Sequence, residues 1–292
     1  DRCAALEDQM DIAGISHTIH GELIDLARGP AAAALERAVA RYNNRTPESA
    51  VALHQLLEQQ HYRLAHWRTA NDDINWRRFF DVNELIALRA ELPQVFEATH
   101  RKVFELIQDG LIDGLRIDHI DGLANPRAYC RRLRRRVERL LPPGHGPFTI
   151  HVEKILADGE RLPNDWQVDG TTGYDFMNRV ALLQHDPDGQ RELTELWSSL
   201  TGRPGDFSEE ERQARAMVLE GSLAADFEVV ARGLLRLARS SLATRDITLG
   251  AIRRSLHALI MHYPVYRTYT WVCGHSPQDR QLFDRALEGA RG

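Results

Sequence analysis

The nine residues Gly114-Leu-Arg116-Ile-Asp118-His119-Ile-Asp121-Gly122 constrain this chain more than any other segment. A β-type run from Leu111 to Ile117 ends at Asp118, and a second, from Phe148 to Val152, ends at Glu153. Between them, Pro126 to Leu141 has the apolar spacing of an amphipathic helix. The order is strand, helix, strand, with an acid at the C-terminal tip of both strands. A helical crossover makes such strands parallel neighbours, about 4.8 Å apart. Two carboxylates on adjacent tips are then expected near the roughly 5–5.5 Å spacing at which an acid pair cleaves a glycosidic bond with retention.

Each acid has a role and a plainer alternative. Asp118 suits an ionised nucleophile, and Arg116, two positions earlier on the same strand face, can keep it charged. A buried Asp–Arg ion pair would leave the same trace. Glu153 suits the acid that protonates a leaving oxygen and the base that activates the incoming one. An exposed Glu at a strand end would look alike. His119 and Asp121 run into the following loop, where they either meet sugar hydroxyls or hydrogen-bond locally; Asp121-Gly122 is also a turn signal. Lys154 lies on the opposite pleat, as a structural group or an outer substrate contact.

Upstream, residues 61–81 (HYRLAHWRTANDDINWRRFFD) have no clean period and are dense in groups that touch polar ligands. Trp67, Trp76, Arg77, Arg78 and Asp81 are candidate substrate contacts, because sugars stack on aromatic rings while polar side chains take their hydroxyls. Tyr174, Tyr266 and Arg267 are further candidates. For any one of these residues a buried aromatic or a solvated arginine is the alternative.

The remainder of the chain reads mainly as helix. Leu23 to Tyr42, interrupted at Gly29-Pro30, and Ser49 to Gln60 are Ala- and Leu-rich helical patterns. Asn83 is expected to cap a short helix to Leu92, and Pro93 to open another through Gln108, closed by Gly110. Residues 160–173 are loop-like, and nearly all of 174–263 is helical. Within it Ser208 and Glu211 form an expected capping box, and a helix begins near Thr248. Val265 to Val272 is strand-like, and Ser276-Pro277 opens the last helix. This predicts three parts: a helical subdomain over 1–60, a catalytic segment over 61–180, and a mainly helical insertion over 181–292. Two strands cannot make a stable parallel sheet, so further strands are either hidden in the loops or lie outside the chain; the second is expected.

Bulk composition narrows the partners. With 292 residues, a net charge of −5 and 43% hydrophobic residues, the chain is an ordinary globular one with no reason to bind a polyanion. The arginines at 131, 132, 134, 135, 136 and 139 mostly share one helical face, opposite Leu133, Val137, Leu140 and Leu141, which predicts a solvated helix rather than a nucleic-acid site. Cys3, Cys130 and Cys273 lack metal-type spacing, and no apolar stretch approaches a membrane span. A cytoplasmic protein without metal, cofactor, nucleic-acid partner or membrane is expected.

Two of these motifs resemble those of a known superfamily. Gly114-Leu-Arg116-Ile-Asp118 is similar to the fourth-strand motif of the α-amylase superfamily, and His151-Val-Glu153-Lys154 resembles its fifth-strand motif. The segments HYRLAHWRTANDDINWRRFFDVNELIALR, DGTTGYDFMNRV and YPVYRTY resemble the maltooligosyltrehalose synthase family within it. The resemblance implies an α/β fold, a partial (β/α)8 barrel with large helical insertions and mostly helical by residue count. It implies a malto-oligosaccharide substrate, with Asp118 as nucleophile and Glu153 as acid/base. The family's Asn-His and His-Asp strand motifs do not occur: His185-Asp186 precedes Pro187 with no strand leading into it. The chain therefore matches a middle segment of the family, lacking the third catalytic carboxylate, and is expected to be inactive in isolation.

Overall fold

The computed structural model describes residues 21–22, 24–29, 31–270 and 274–291. The chain divides into two compact units, residues 1–67 and 68–292. In the first, α1 (Ala32–Asn43) and α2 (Pro47–Glu58) pack together. Thr46 starts α2: its hydroxyl accepts from the Ser49 N–H at 3.2 Å, and Pro47, which has no N–H to leave unbonded, occupies the first turn.

The second unit opens with the single turn α3 (Ala70–Asp73) and an antiparallel hairpin, β1 (Arg78–Phe79) and β2 (Val82–Ile86). The helix expected from Asn83 is not formed; Asn83 lies in β2 and accepts at 2.5 Å from the Arg78 guanidinium, which is buried. Next comes α4 (Pro93–Gln108), ended by Gly110 at φ +66°, where a side chain would be strained. Then β3 (Gly114–Ile117), α5 (Pro126–Leu140) and β4 (Thr149–Val152) follow in order. The strands are parallel, with Gly114 opposite Thr149 and Ile117 opposite Val152. The expected strand–helix–strand unit is present, shortened at the start of both strands.

A third parallel strand, β5 (Gly170–Thr171), pairs with β4. It lies in the stretch read as loop, so at least one further strand was hidden within the chain. The core beneath this sheet joins Phe96, Phe104 and Ile107 of α4 to Leu133 and Val137 of α5 and Ile150 of β4, all buried. Two arginines of α5 clamp neighbouring backbone rather than face solvent alone. Arg134 donates to the Phe148 and Gln167 carbonyls and pairs with Asp169, and Arg132 donates to the Glu91 carbonyl.

Helices make up most of the rest: α6 (Tyr174–Leu182), α7 (Gln190–Thr201), α8 (Phe207–Glu220), α9 (Ala224–Arg239), α10 (Leu249–Met261) and α11 (Pro277–Arg291). The cap of α8 is Asp206, whose carboxylate accepts from the Ser208 N–H, and not Ser208. Glu211 instead pairs with Arg215 one turn on. Thr248 caps α10 as expected. Residues 265–270 form no strand, with a bend at Val265 and Tyr266, contrary to the strand expected there; Trp271, Val272 and Cys273 lie outside the described residues, as does Cys3.

Candidate active site at the tips of two parallel strands

Because Ile117 and Val152 are in register, the chain leaves β3 and β4 side by side, and the Glu153 N–H donates to the Ile117 carbonyl at 2.8 Å. Strand alternation puts Arg116 and Asp118 on one face. The Arg116 guanidinium contacts Asp118 Oδ1 at 2.7 Å and Glu153 Oε1 at 3.5 Å. One planar guanidinium spanning both oxygens limits their separation to under about 9 Å. The Glu153 side chain is mostly covered, at 21% exposure, whereas that of Asp118 is open at 59%.

His119 adopts the left-handed conformation, φ +46°, ψ +44°, rarely occupied outside glycine and a few polar residues. This turns its N–H back onto Glu153 Oε2 at 2.7 Å. Its ring sits against Phe79 and Phe80, with centroids 4.8 Å away in both cases, and Phe80 itself has φ +51°. The ring also lies close to Gly122, where a Cβ would meet its Cδ2 at 2.3 Å. Glycine is there for closeness, not for an unusual backbone angle.

A cleft of about 780 Å³ opens in front of this turn. Of the residues singled out from sequence, Arg77, Arg78, Asp81, Asp118, His119, Asp121 and Tyr266 line it. Arg78 is spent on structure, donating to Asp81 and Ser222 carbonyls and standing 3.6 Å from Asp226. Tyr266 is 62% exposed at the rim. Burial, then the Asp121 charge, raises its phenol above the ordinary value. Trp76 is exposed and Tyr174 half-buried at the start of α6; neither lines the cleft. Trp67 is exposed and belongs to the first unit.

Lys154 and Arg267 turn away from the cleft. Lys154 is 1% exposed, its ammonium 2.7 Å from Glu160 and 3.5 Å from Asp121. Arg267 donates to the Asp121 and Leu123 carbonyls at 2.8 and 2.7 Å. Asp121 is itself buried and accepts from the Tyr269 hydroxyl, so among its contacts local bonding outweighs any open to a ligand. Burial first, then Asp121, pushes the Tyr269 phenol far up, keeping it a donor. Phe79, Phe80, Glu160 and Tyr269 were not anticipated. The two phenylalanines stand inside the aromatic run already singled out, but their placement depends on a hairpin whose second strand was expected to be helix.

Among the described residues no group of three or more His, Cys, Asp or Glu side chains could hold a metal, and no helix is long and apolar enough to cross a membrane. The fold and site define a mostly helical α/β protein with paired carboxylates at the ends of adjacent parallel strands.

Known proteins narrow that class. A protein of Mycobacterium tuberculosis named as a maltooligosyl trehalose synthase is 35% identical over 210 residues, 72% of this chain and 25% of its own length. The structure of maltooligosyltrehalose synthase from Arthrobacter ramosus superposes at TM-score 0.68 with 34% identity, covering 82% of this chain and 28% of that one. A Sulfolobus tokodaii structure described as a hypothetical maltooligosyl trehalose synthase superposes at 0.63 with 32% identity, over 82% of this chain and 29% of that one. No family model matches. Over most of its length this chain corresponds, in sequence and fold, to a segment of the maltooligosyltrehalose synthases, and it spans about a quarter of the length of the curated relatives it matches.

Proposed function

We propose that this chain carries the nucleophile and the acid/base of an intramolecular transglucosylase acting on malto-oligosaccharides. The observation that bears most weight is the single guanidinium of Arg116 in contact with both Asp118 and Glu153, at the tips of strands in register. In this reading β3, β4 and β5 are consecutive staves of a partial (β/α)8 barrel, residues 61–180 are its catalytic segment, and 181–292 are an insertion. The setting is cytoplasmic and no cofactor takes part.

Asp118 attacks the anomeric carbon of the penultimate glucose while Glu153 protonates the departing O4 of the reducing-end glucose. Arg116 pairs with the Asp118 carboxylate and aims it. The released glucose stays bound, turns, and attacks the glycosyl-enzyme through its anomeric hydroxyl, with Glu153 now taking the proton. Two inversions preserve the configuration and turn an α-1,4 into an α,α-1,1 linkage. His119, Asp81, Arg77 and Tyr266 are placed to meet sugar hydroxyls, and Phe80 offers an exposed ring for stacking. Lys154, read from sequence as a structural group or an outer contact, and Arg267, a candidate substrate contact, support the site from behind.

Transfer rather than hydrolysis requires the trapped glucose to outcompete water, by positioning and exclusion of solvent. Incubating the protein that carries this chain with maltopentaose distinguishes the readings. Loss of reducing ends without free sugar supports transfer, a rise in reducing ends identifies a retaining α-glucan hydrolase, and binding without either change identifies a glucan-binding protein.

A further inference from the structure

The groups packed behind the candidate acids form a set that the catalytic reading does not use. Lys154, the residue after Glu153, points the opposite way and is fully enclosed. Its ammonium lies between Asp121 Oδ2 and Glu160 Oε1, at 3.5 and 2.7 Å, with the Tyr269 ring centroid at 5.5 Å. The other oxygen of Asp121, Oδ1, takes the Tyr269 hydroxyl. Arg267 stacks over the same ring at 5.2 Å and reaches the carbonyls on both sides of Gly122. Two cations and two carboxylates balance, with Lys154 buried and Arg267 and Tyr269 half-buried beside a second cavity.

Tyr269 and Arg267 come from the segment after α10, more than 140 residues beyond the turn they hold. That segment is fixed in turn by α11, because the Tyr269 N–H donates to Asp279 Oδ1 at 3.0 Å. The Tyr269 ring also stands edge-on to buried Trp166, with centroids 4.8 Å apart. We propose that Tyr269, with Lys154 and Glu160, positions the 118–122 turn, so that a distant segment sets the orientation of Asp118 and of the His119 N–H on Glu153. This rests on reading Asp118 and Glu153 as the acid pair.

The mechanical argument is short. Residues 118–122 hold a left-handed residue at His119, a conformation that relaxes unless neighbours over-determine it. Asp121 is the one side chain of that turn anchored from both oxygens, and its anchors are Tyr269 and Lys154. Releasing the hydroxyl frees one oxygen of Asp121 while the ring contacts to Trp166, Lys154 and Arg267 remain. Tyr269, Lys154 and Glu160 do not line the cleft in front of the acids, so binding there is spared and the chemical step is not.

The test is Tyr269→Phe in the protein that carries this chain, assayed on malto-oligosaccharide beside Asp118→Asn. The expected result is a fall in kcat of about tenfold with KM within about twofold, in a folded protein. A folded Tyr269→Phe protein that keeps kcat within twofold, or that loses activity through KM alone, overturns the proposal. If Tyr269→Phe does not fold, Glu160→Gln, which keeps shape and removes one charge from the Lys154 pair, must show the same split, and an unchanged kcat there overturns it equally. An inactive Asp118→Asn beside a fully active Tyr269→Phe refutes only the positioning role. An active Asp118→Asn refutes the catalytic reading beneath it.

Discussion

Strand alternation puts Arg116 and Asp118 on one face, and the helical crossover puts Glu153 at the neighbouring tip, so these three could be brought together from sequence. Asp118→Asn is expected to lower turnover at least about 10³-fold without unfolding the protein, since the lost carboxylate is open to solvent and its removal leaves no buried charge. Steady-state rates with a circular dichroism check of folding measure this. Gly122 supports the same turn by close approach. Gly122→Ala puts a methyl against the His119 ring, which also packs on Phe79 and Phe80, so overpacking of about 1–3 kcal/mol is expected in chemical denaturation. Asp121, Lys154 and Arg267 were harder to read. Each is polar and stands near the acids in the chain, and only the fold shows that they turn inward to one another.

At the scale of elements, patterns of whole turns were readable and short strands were not. The helices α4, α5 and α10 begin at Pro93, Pro126 and just after Thr248, where proline or a hydroxyl cap dictates a start. Residues 82–92 contain Leu, Ala, Arg and Glu, good helix formers, yet 82–86 pair as a strand because buried Arg78 ties the hairpin to Asn83, Ser222 and Asp226. The two residues of β5 are too few for any periodicity to reveal. A true capping box exists, not at Ser208 but at Ser276 and Asp279, whose side chains exchange bonds with each other's N–H groups at 3.0 Å.

That box makes a pH prediction. Burial raises the Asp279 carboxyl, but bonds from the Tyr269 and Ser276 N–H groups and the Ser276 hydroxyl outweigh it and hold it below the usual value. A depressed native pKa gives stability that is present above the unfolded carboxyl's value near ~3.9 and is lost as pH falls through the native one. Asp279→Asn should therefore cost about 1–2 kcal/mol at neutral pH, with the difference from the parent shrinking in acid. Urea unfolding at several pH values measures it. In α5, Leu133→Ala empties a site with no exposed surface, and a loss of about 2–5 kcal/mol is expected.

For the whole molecule, the long-range ties matter more than any single helix. The parallel sheet, the turn after β3 and the segment before α11 meet around Ile120, Cys130, Val152 and Trp166, four buried side chains from separate stretches of chain. Burial pushes the Cys130 thiol up to about 12, so this core group stays protonated and inert at neutral pH. Sequence patterns could nominate the acids, but not the partners that converge on them from more than a hundred residues away. The central claim concerns one covalent bond. Glu153→Gln should slow release of the glycosyl-enzyme when a malto-oligosaccharyl fluoride supplies a leaving group that needs no acid. Intact-mass and peptide mass spectrometry of that variant is predicted to show one glycosyl adduct, on Asp118. An adduct on a different side chain, or turnover with none, would contradict the account.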